Sequence, residues 1–362
     1  MNQKLFTMLS IVLGLLIFSE IVTPINAQTE LPSVGDFYTA IPVWNPSNTL
    51  IAKVSDTNVE MWQVNASDPI QILSGHTDTV LTLSWSDDGN YLATGSRDGT
   101  VRIWDVATGD TITVYTDHDN VVGSVAWKPN SMLVASASIQ GEQNLHTWDA
   151  LTGNMTISSN GGTGSVIHFS ANGMKIATVV GPIIRTRELT DFEITKYFRT
   201  DAMGSLEVED NNNLMESVRW SPDGSKLVTG NIGGSIYIWD ANTLQPLSTL
   251  IASDSYNPEG IVLITQLSQT WVRDVAFNFD GTRVLAASSD GTLRVWDTET
   301  FQEIQTIQVD PFIGAGWSAD GEHLVTISAT DEVNFIDTTS LANPSALHAS
   351  VLSPISDTTD QH

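Results

Sequence analysis

The stretch VLTLSWSDDGNYLATGSRDGTVRIWD, Val80 to Asp105, decides how the chain folds. It alternates apolar and small residues up to Trp85, turns at Ser86-Asp87-Asp88-Gly89, alternates again from Tyr91 to Ser96 and closes on Trp104-Asp105. Asp followed by Gly supplies the positive φ of a tight hairpin turn, so the stretch predicts three short antiparallel strands. Thr111 to Thr116 adds a fourth. Outward from this unit the pattern recurs. An aromatic residue precedes a turn at Trp44, Trp85, Trp127, Phe169, Trp220, Phe277 and Trp317. The turns are of one kind, as in Ser170-Ala171-Asn172-Gly173, Ser221-Pro222-Asp223-Gly224 and Ser318-Ala319-Asp320-Gly321. Trp-Asp closes four copies, at Trp104-Asp105, Trp148-Asp149, Trp239-Asp240 and Trp296-Asp297. Trp62-Gln63, Arg187-Glu188 and Ile336-Asp337 stand in the same register in the other three.

With these marks the chain resembles the WD-repeat β-propeller family from about residue 37 to 352. The resemblance implies an all-β fold, a seven-bladed β-propeller with four antiparallel strands per blade. It also implies that His76, Ser96, Asp98 and Trp104 form the hydrogen-bonded tetrad that ties loop, strands and turn together in blade 2. A Ser, a His and an Asp together suggest a hydrolase triad, but the resemblance gives them a structural role and the Trp explains the fourth member. No catalytic residue is expected. Elsewhere the pattern thins: Asp56 and Asp290 hold the Asp position, whereas Asn160, Asn211, Ser268 and Gln308 sit where a His would.

Departures from the period point to function. Successive aromatics are 41, 42, 42, 51, 57 and 40 residues apart, so the connections before blades 5 and 6 are enlarged. One insertion, 200–214, holds Glu207, Glu209, Asp210 and Asn211; the other, 252–270, holds Tyr256, Pro258 and the apolar stretch Ile261 to Leu267. In propellers of this kind such connections open on one face, the top, and long loops on a rigid scaffold are where binding specificity resides. Tyr256, Ile261, Leu263 and Trp271 are expected as apolar or aromatic anchors, with Arg219 and Arg273 as polar contacts. Trp271 reads equally as a core residue at the start of its strand.

The chain carries 15 Lys and Arg against 42 Asp and Glu, a net charge of -27, which works against phosphate backbones and anionic membranes. Many of the acids fall in turns, where they cap the local backbone. With no cysteine, disulfides, thiolate metal sites and a Cys nucleophile are excluded. Residues 1–27 have the parts of a secretory signal: Lys4, an apolar run from Leu5 to Phe18 and Ala27 before the expected cut. Residues 28–36 form a lead-in, and 353–362 a polar, acidic tail expected to be disordered. Ser345 to Leu352 is expected to supply the outer strand of blade 7.

No metal or cofactor is expected. The acids of 200–214 lack the spacing of an ordered calcium loop. The sequence thus reads as a secreted or periplasmic monomer, a non-enzymatic scaffold binding a protein or peptide. An uncleaved N-terminal anchor is the alternative for location; a small-ligand binder, hydrolase or lyase using the central channel is the alternative for function.

Overall fold

A computed structural model describes residues 42–64, 66–139, 145–159, 166–190, 194–199, 215–231, 234–251, 272–318 and 321–337. The expected signal, lead-in, acidic tail, strand 345–352 and both long insertions lie outside the described residues.

The described strands form seven antiparallel sheets. Blade 1 comprises β1 (Val43–Trp44), β2 (Leu50–Ser55), β3 (Asn58–Gln63) and β4 (Gln71–Ser74). Blade 2 follows with β5 (Val80–Trp85), β6 (Tyr91–Ser96), β7 (Val101–Asp105) and β8 (Thr111–Tyr115). Blade 3 has β9 (Val122–Trp127), β10 (Leu133–Ser138), β11 (Leu145–Asp149) and β12 (Met155–Ser159). In blade 4 these are β13 (Val166–Phe169), β14 (Lys175–Val180), β15 (Ile183–Glu188) and β16 (Ile194–Arg199). Blade 5 contains β17 (Met215–Trp220), β18 (Lys226–Asn231), β19 (Ser235–Asp240) and β20 (Pro246–Ile251). Blade 6 contains β21 (Val272–Phe277), β22 (Arg283–Ser288), β23 (Thr292–Asp297) and β24 (Glu303–Gln308). Three described strands make up blade 7: β25 (Gly314–Trp317), β26 (His323–Ile327) and β27 (Val333–Asp337).

The chain is a seven-bladed β-propeller. Each blade's first strand touches the first strand of the next, and β1 returns to touch β25, so these strands line the axis of a ring. Seven apolar clusters fill the seams, one between each pair of neighbouring blades. Between blades 2 and 3, for example, Ile103 and Tyr115 meet Val122, Trp127 and Trp148. A blade buries both faces, which is why its strands are rich in Val, Ile, Leu and Ala. At about 1.5–3 kcal/mol for each fully buried large apolar side chain, these seams dominate the favourable side of folding. Gly95 shows how closely the blades approach: a Cβ there would lie 2.7 Å from Val122 of the next inner strand.

The first strand of each blade starts at the end of the ring where the interblade connections lie, and finishes at the hairpin turns. Those turns obey one chemistry. In blade 2 the Gly89 amide donates to Ser86 O at 2.9 Å, the Tyr91 amide to Ser86 Oγ at 2.9 Å, and Ser86 Oγ donates to Asp88 Oδ1 at 2.6 Å. Gly89, Gly173, Gly224, Gly281 and Gly321 all sit at φ between 67° and 72°, where a side chain would strain the backbone.

The closing seam differs from the rest. Trp44, Ile51 and Val325 form its buried cluster, and two polar ties reinforce it: Trp44 Nε1 donates to Gly316 O at 3.0 Å, and buried Lys53 pairs with Asp331 of blade 7 at 2.8 Å.

Candidate functional site

Strand register brings one buried position into comparison across the ring. In blade 2 Leu92 lies opposite Trp104 and Thr94 opposite Arg102, so Thr94 is the diagonal neighbour of the indole. Trp104 Nε1 donates to Thr94 Oγ1 at 2.9 Å, Thr94 lies 2.7 Å from His76 Nε2, and His76 Nδ1 lies 2.8 Å from Asp98 Oδ2. This order makes His76 the tautomer that accepts from the Thr94 hydroxyl and donates to the carboxylate. Burial lowers the His76 pKa, opposed by Asp98. Burial also pushes the Asp98 carboxyl up, but hydrogen bonds from Thr100, the Thr77 amide and His76 outweigh it and hold the group at about 2. The network is a neutral imidazole on an ionised carboxylate. Its hydroxyl is fully consumed between two ring nitrogens, and no nucleophile is presented to solvent.

The sequence places Ser96 in this network; the structure places Thr94 there. Both side chains point to the same face of β6, but Ser96 is four residues beyond Leu92, about 13 Å along the strand and out of the indole's reach. Ser96 Oγ instead donates to Asp78 O at 2.8 Å and accepts from the Asp98 amide at 3.1 Å.

The Thr94 position holds Thr again in blades 4, 5 and 7, and Lys53, Ser136 and Ala286 in blades 1, 3 and 6. In blade 3 Ser136 accepts from Trp148 Nε1 at 3.0 Å and lies 2.7 Å from His118 Nε2, while His118 Nδ1 finds no hydrogen-bond partner. The His118 ring stacks on His146 at 4.2 Å; burial, with His146 adding to it, drives its pKa down to about 3. In blade 5 Thr229 accepts from Trp239 Nε1 at 3.0 Å. Blade 1 has Lys53, whose ammonium is 3.1 Å from Glu60, which also accepts from Trp62 Nε1 at 3.1 Å. Blade 4 pairs Thr178 with Arg185 across the strands and has buried Arg187 where blades 1, 2, 3, 5 and 6 have Trp and blade 7 has Ile336.

On the turn face the acids serve their own backbone. Asp105, Asp149, Asp240 and Asp297 each accept two amides of the following turn, such as Thr300 N at 2.7 Å and Glu299 N at 3.0 Å on Asp297. Those bonds lower the Asp297 and Asp240 pKa. A cleft of about 500 Å³ between blades 5 and 6 is lined by Asp223, Asp280, Asp297, Glu299 and Lys226, and its aspartates are engaged in this way. Among the described residues no cluster of His, Cys, Asp and Glu could hold a metal ion, and no helix is long and apolar enough to cross a membrane.

Around the axis the inner strands carry small side chains at the position before the aromatic, Val43, Ser84, Ala126, Ala276 and Gly316, except in blades 4 and 5, which carry His168 and Arg219. Ser84 of blade 2 accepts the Trp127 amide at 2.9 Å, tying it to blade 3. Blade 6 has Ala276 there, and the longer Asp274, two residues earlier, reaches the Trp317 amide at 3.2 Å instead. Arg219 crosses from blade 5 to Asp274 at 3.3 Å. Burial raises the Asp274 pKa, against the guanidinium and two amides that favour its charge. His168 Nδ1 is buried without a partner; burial, then Arg219, brings its pKa down to about 3. This polar cluster had no periodic signature in the sequence.

Of the six expected contact residues, Tyr256, Ile261, Leu263 and Trp271 lie outside the described residues. Arg273, second in β21, stands at the end adjoining 252–271, but Arg219, fifth in β17, stands at the turn end, about 13 Å along its strand from the insertion. The two arginines therefore do not share the top face.

The family model "WD domain, G-beta repeat" matches residues 67–105, 109–149, 208–240 and 261–297. WD repeat-containing protein 1 of Bos taurus is 28% identical over 142 residues, 38% of this chain and 21% of that protein. Protein HIR1 of Candida albicans is 26% identical over 138 residues, 33% of this chain and 14% of its own length. The chain thus spans about a fifth or less of these relatives. Among solved structures, a chain of "Crystal Structure of Mitotic Checkpoint Complex" superposes with a TM-score of 0.68 at 19% identity, over 85% of this chain and 90% of that one, a likeness of fold.

Proposed function

We propose that this chain, a WD-repeat β-propeller by its repeats and its fold, is an exported, non-enzymatic scaffold that binds a protein or peptide partner on the face bearing its long connections. One observation carries the reading. The connections between blades are 75–79, 116–121, 160–165 and 309–313, but 200–214 and 252–271 before blades 5 and 6. A repeat that needs five or six residues to pass between blades has no structural use for the surplus. The surplus adjoins Arg273, and the second insertion carries Tyr256, Ile261 and Leu263, side chains of the kind that anchor interfaces. The non-enzymatic part is supported by the consumption of the Thr94, His76 and Asp98 set within blade 2. Export rests on the pattern of residues 1–27.

A small-ligand site in the central channel is the second reading, favoured by His168, Arg219 and Asp274 gathering on three adjacent inner strands.

Affinity capture separates the two. The full chain is compared with a variant whose two long connections are cut to six residues, with circular dichroism as the control for folding. A partner held by the first and lost by the second supports the loop reading; a partner held equally overturns it. Intact mass of the exported product, starting at Gln28, tests the signal.

A further inference from the structure

At the rim, six of the seams are finished by the outer strand of the preceding blade, always from one rank of that strand. Tyr115 stacks on Trp148 of blade 3 at 4.4 Å, and Phe198 meets Trp239 of blade 5 at 5.3 Å. Leu73 joins Trp104, Leu250 joins Trp296 and Ile307 joins Ile336 in three further apolar seams. The sixth pair is polar on both sides, with Arg187 of blade 4 donating to Ser159 of blade 3 at 3.4 Å. Every covering residue is the tenth after the residue that ends its own blade's third strand, as Tyr115 is after Asp105 and Leu73 after Gln63. What stands at this rank follows what it covers.

The closing seam has the surface but, among the described residues, not the cover. Between blades 2 and 3, Val101, Ile103, Tyr115, Trp148 and Ala150 are each at most 2% exposed. Their counterparts in the closing seam are Val333 and Phe335 on β27 and Trp62 and Val64 of blade 1, and all four are only partly buried. The counterpart of Tyr115, ten residues after Asp337, is Leu347. Val101 lies opposite Tyr115 and Ile103 opposite Thr113, so the same pairing sets Leu347 opposite Val333 and Ser345 opposite Phe335. A polar residue and then a large apolar one is also the order of Gln71 and Leu73, of Ser248 and Leu250, and of Gln305 and Ile307. Pro344 fits the same register. The seventh residue after the third strand is skipped in the pairing of the outer strand, as Ile112 and Leu247 show, and such a bulge on an edge strand tolerates proline.

We infer that residues 343–348 form the outer strand of blade 7 and seat Leu347 on Trp62 of blade 1, so that the ring is closed by the segment that follows β27. The register shifts the strand expected at 345–352 by two residues or more at each end. The lead-in is the competing occupant and fits worse. In the short connections the covering residue stands 10 to 12 residues before the next aromatic, which counted back from Trp44 gives Val34 or Pro32. In either register Pro32 takes an inward, paired position, where it has no amide to give to the ladder. Closure from the C-terminal side leaves no strand shared between the two ends of the chain. The seam between blades 7 and 1 is then held by side chains: Leu347 on Trp62, Trp44 on Gly316 O and Lys53 on Asp331. This inference concerns how the scaffold closes and goes beyond the function given above.

The chain has no cysteine, so an introduced pair reports on the register directly. Asn334, exposed between Val333 and Phe335, would face Ala346 across the strands, within reach of a disulfide. N334C/A346C in the full chain is expected to form an intramolecular disulfide under mild oxidation, located by peptide mass mapping. It should form about tenfold or more faster than in N334C/V351C, which is out of register, and than in N334C/L31C or N334C/S33C, which test the lead-in. L347D is expected to lower the melting temperature by several degrees, and L352D, past the strand, to leave it unchanged. A faster disulfide to position 31 or 33, equal rates in all four pairs, or a melting temperature indifferent to L347D overturns the inference.

Discussion

In blade 2 an indole, a hydroxyl, an imidazole and a carboxylate run from Trp104 through Thr94 and His76 to Asp98, each bond between 2.7 and 2.9 Å. In blade 4 the same two strand positions hold Arg187 and Thr178; the Thr178 hydroxyl is buried without a hydrogen-bond partner, and Arg187 donates to Ser159 of blade 3 at 3.4 Å. Yet both blades are four-stranded and both are packed on two neighbours through apolar clusters. The difference teaches that the repeat separates two tasks. Apolar seams build the ring, and the polar chain stiffens individual blades; a blade that gives up the second keeps the fold and frees its surface for other chemistry.

The comparison can be broken most severely at Trp104. Its truncation, Trp104→Ala, removes a fully buried indole from the seam with blade 1 and one of the two partners of Thr94, and is expected to cost about 3–5 kcal/mol in urea-induced unfolding. A finer cut replaces the hydroxyl alone. Thr94→Val leaves His76 Nε2 and Trp104 Nε1 buried without partners and should cost about 1–3 kcal/mol. Thr178→Val removes a hydroxyl that makes no bond, and the same measurement should find it within about 0.5 kcal/mol of the parent or slightly stabilised. Equal costs for these two valines would dissolve the contrast between the blades.

Acid distinguishes the blades next. Folded His118 and His168 titrate near 3, well below the 6.5 of an unfolded histidine. The unfolded chain therefore binds more protons across that window, so their contribution is complete above pH 6.5 and is lost as pH falls toward 3. At pH 5 each is expected to have removed about 1–2 kcal/mol, and His118→Gln should flatten the dependence. In blade 2 the Asp98 carboxylate opposes this loss, so His76→Gln should flatten it less. A single hydrogen bond is at stake at the axis: Trp85→Phe removes one donation to Val43 O, 3.1 Å, and should cost about 1 kcal/mol, since blade 4 already manages with Phe169.

The seven units were legible because aromatic, turn and Trp-Asp recur at fixed spacing, and each mark has a local cause: Gly at positive φ, Asp on two amides, Trp in a seam. The tetrad was legible up to one hydroxyl. Thr94 and Ser96 point the same way, and only the pairing of Leu92 with Trp104 says which of them the indole meets. Lys53 was not legible, because Asp331 is 278 residues away and blade 1 lacks the Trp-Asp mark. Nor was the Arg219 and Asp274 pair: each replaces a small side chain of the repeat, and a replacement shows in sequence only once the register of the inner strands is known.

Hydrogen exchange of the free protein, read by mass spectrometry, most directly tests the claim that the chain from Trp104 to Asp98 stiffens blade 2 and that blade 4, with Arg187 in place of the Trp, lacks this stiffening. The amides of Tyr91–Ser96 and Val101–Asp105 are predicted to exchange about tenfold or more slowly than those of Lys175–Val180 and Ile183–Glu188. Equal protection in the two blades, or slower exchange in blade 4, would contradict it.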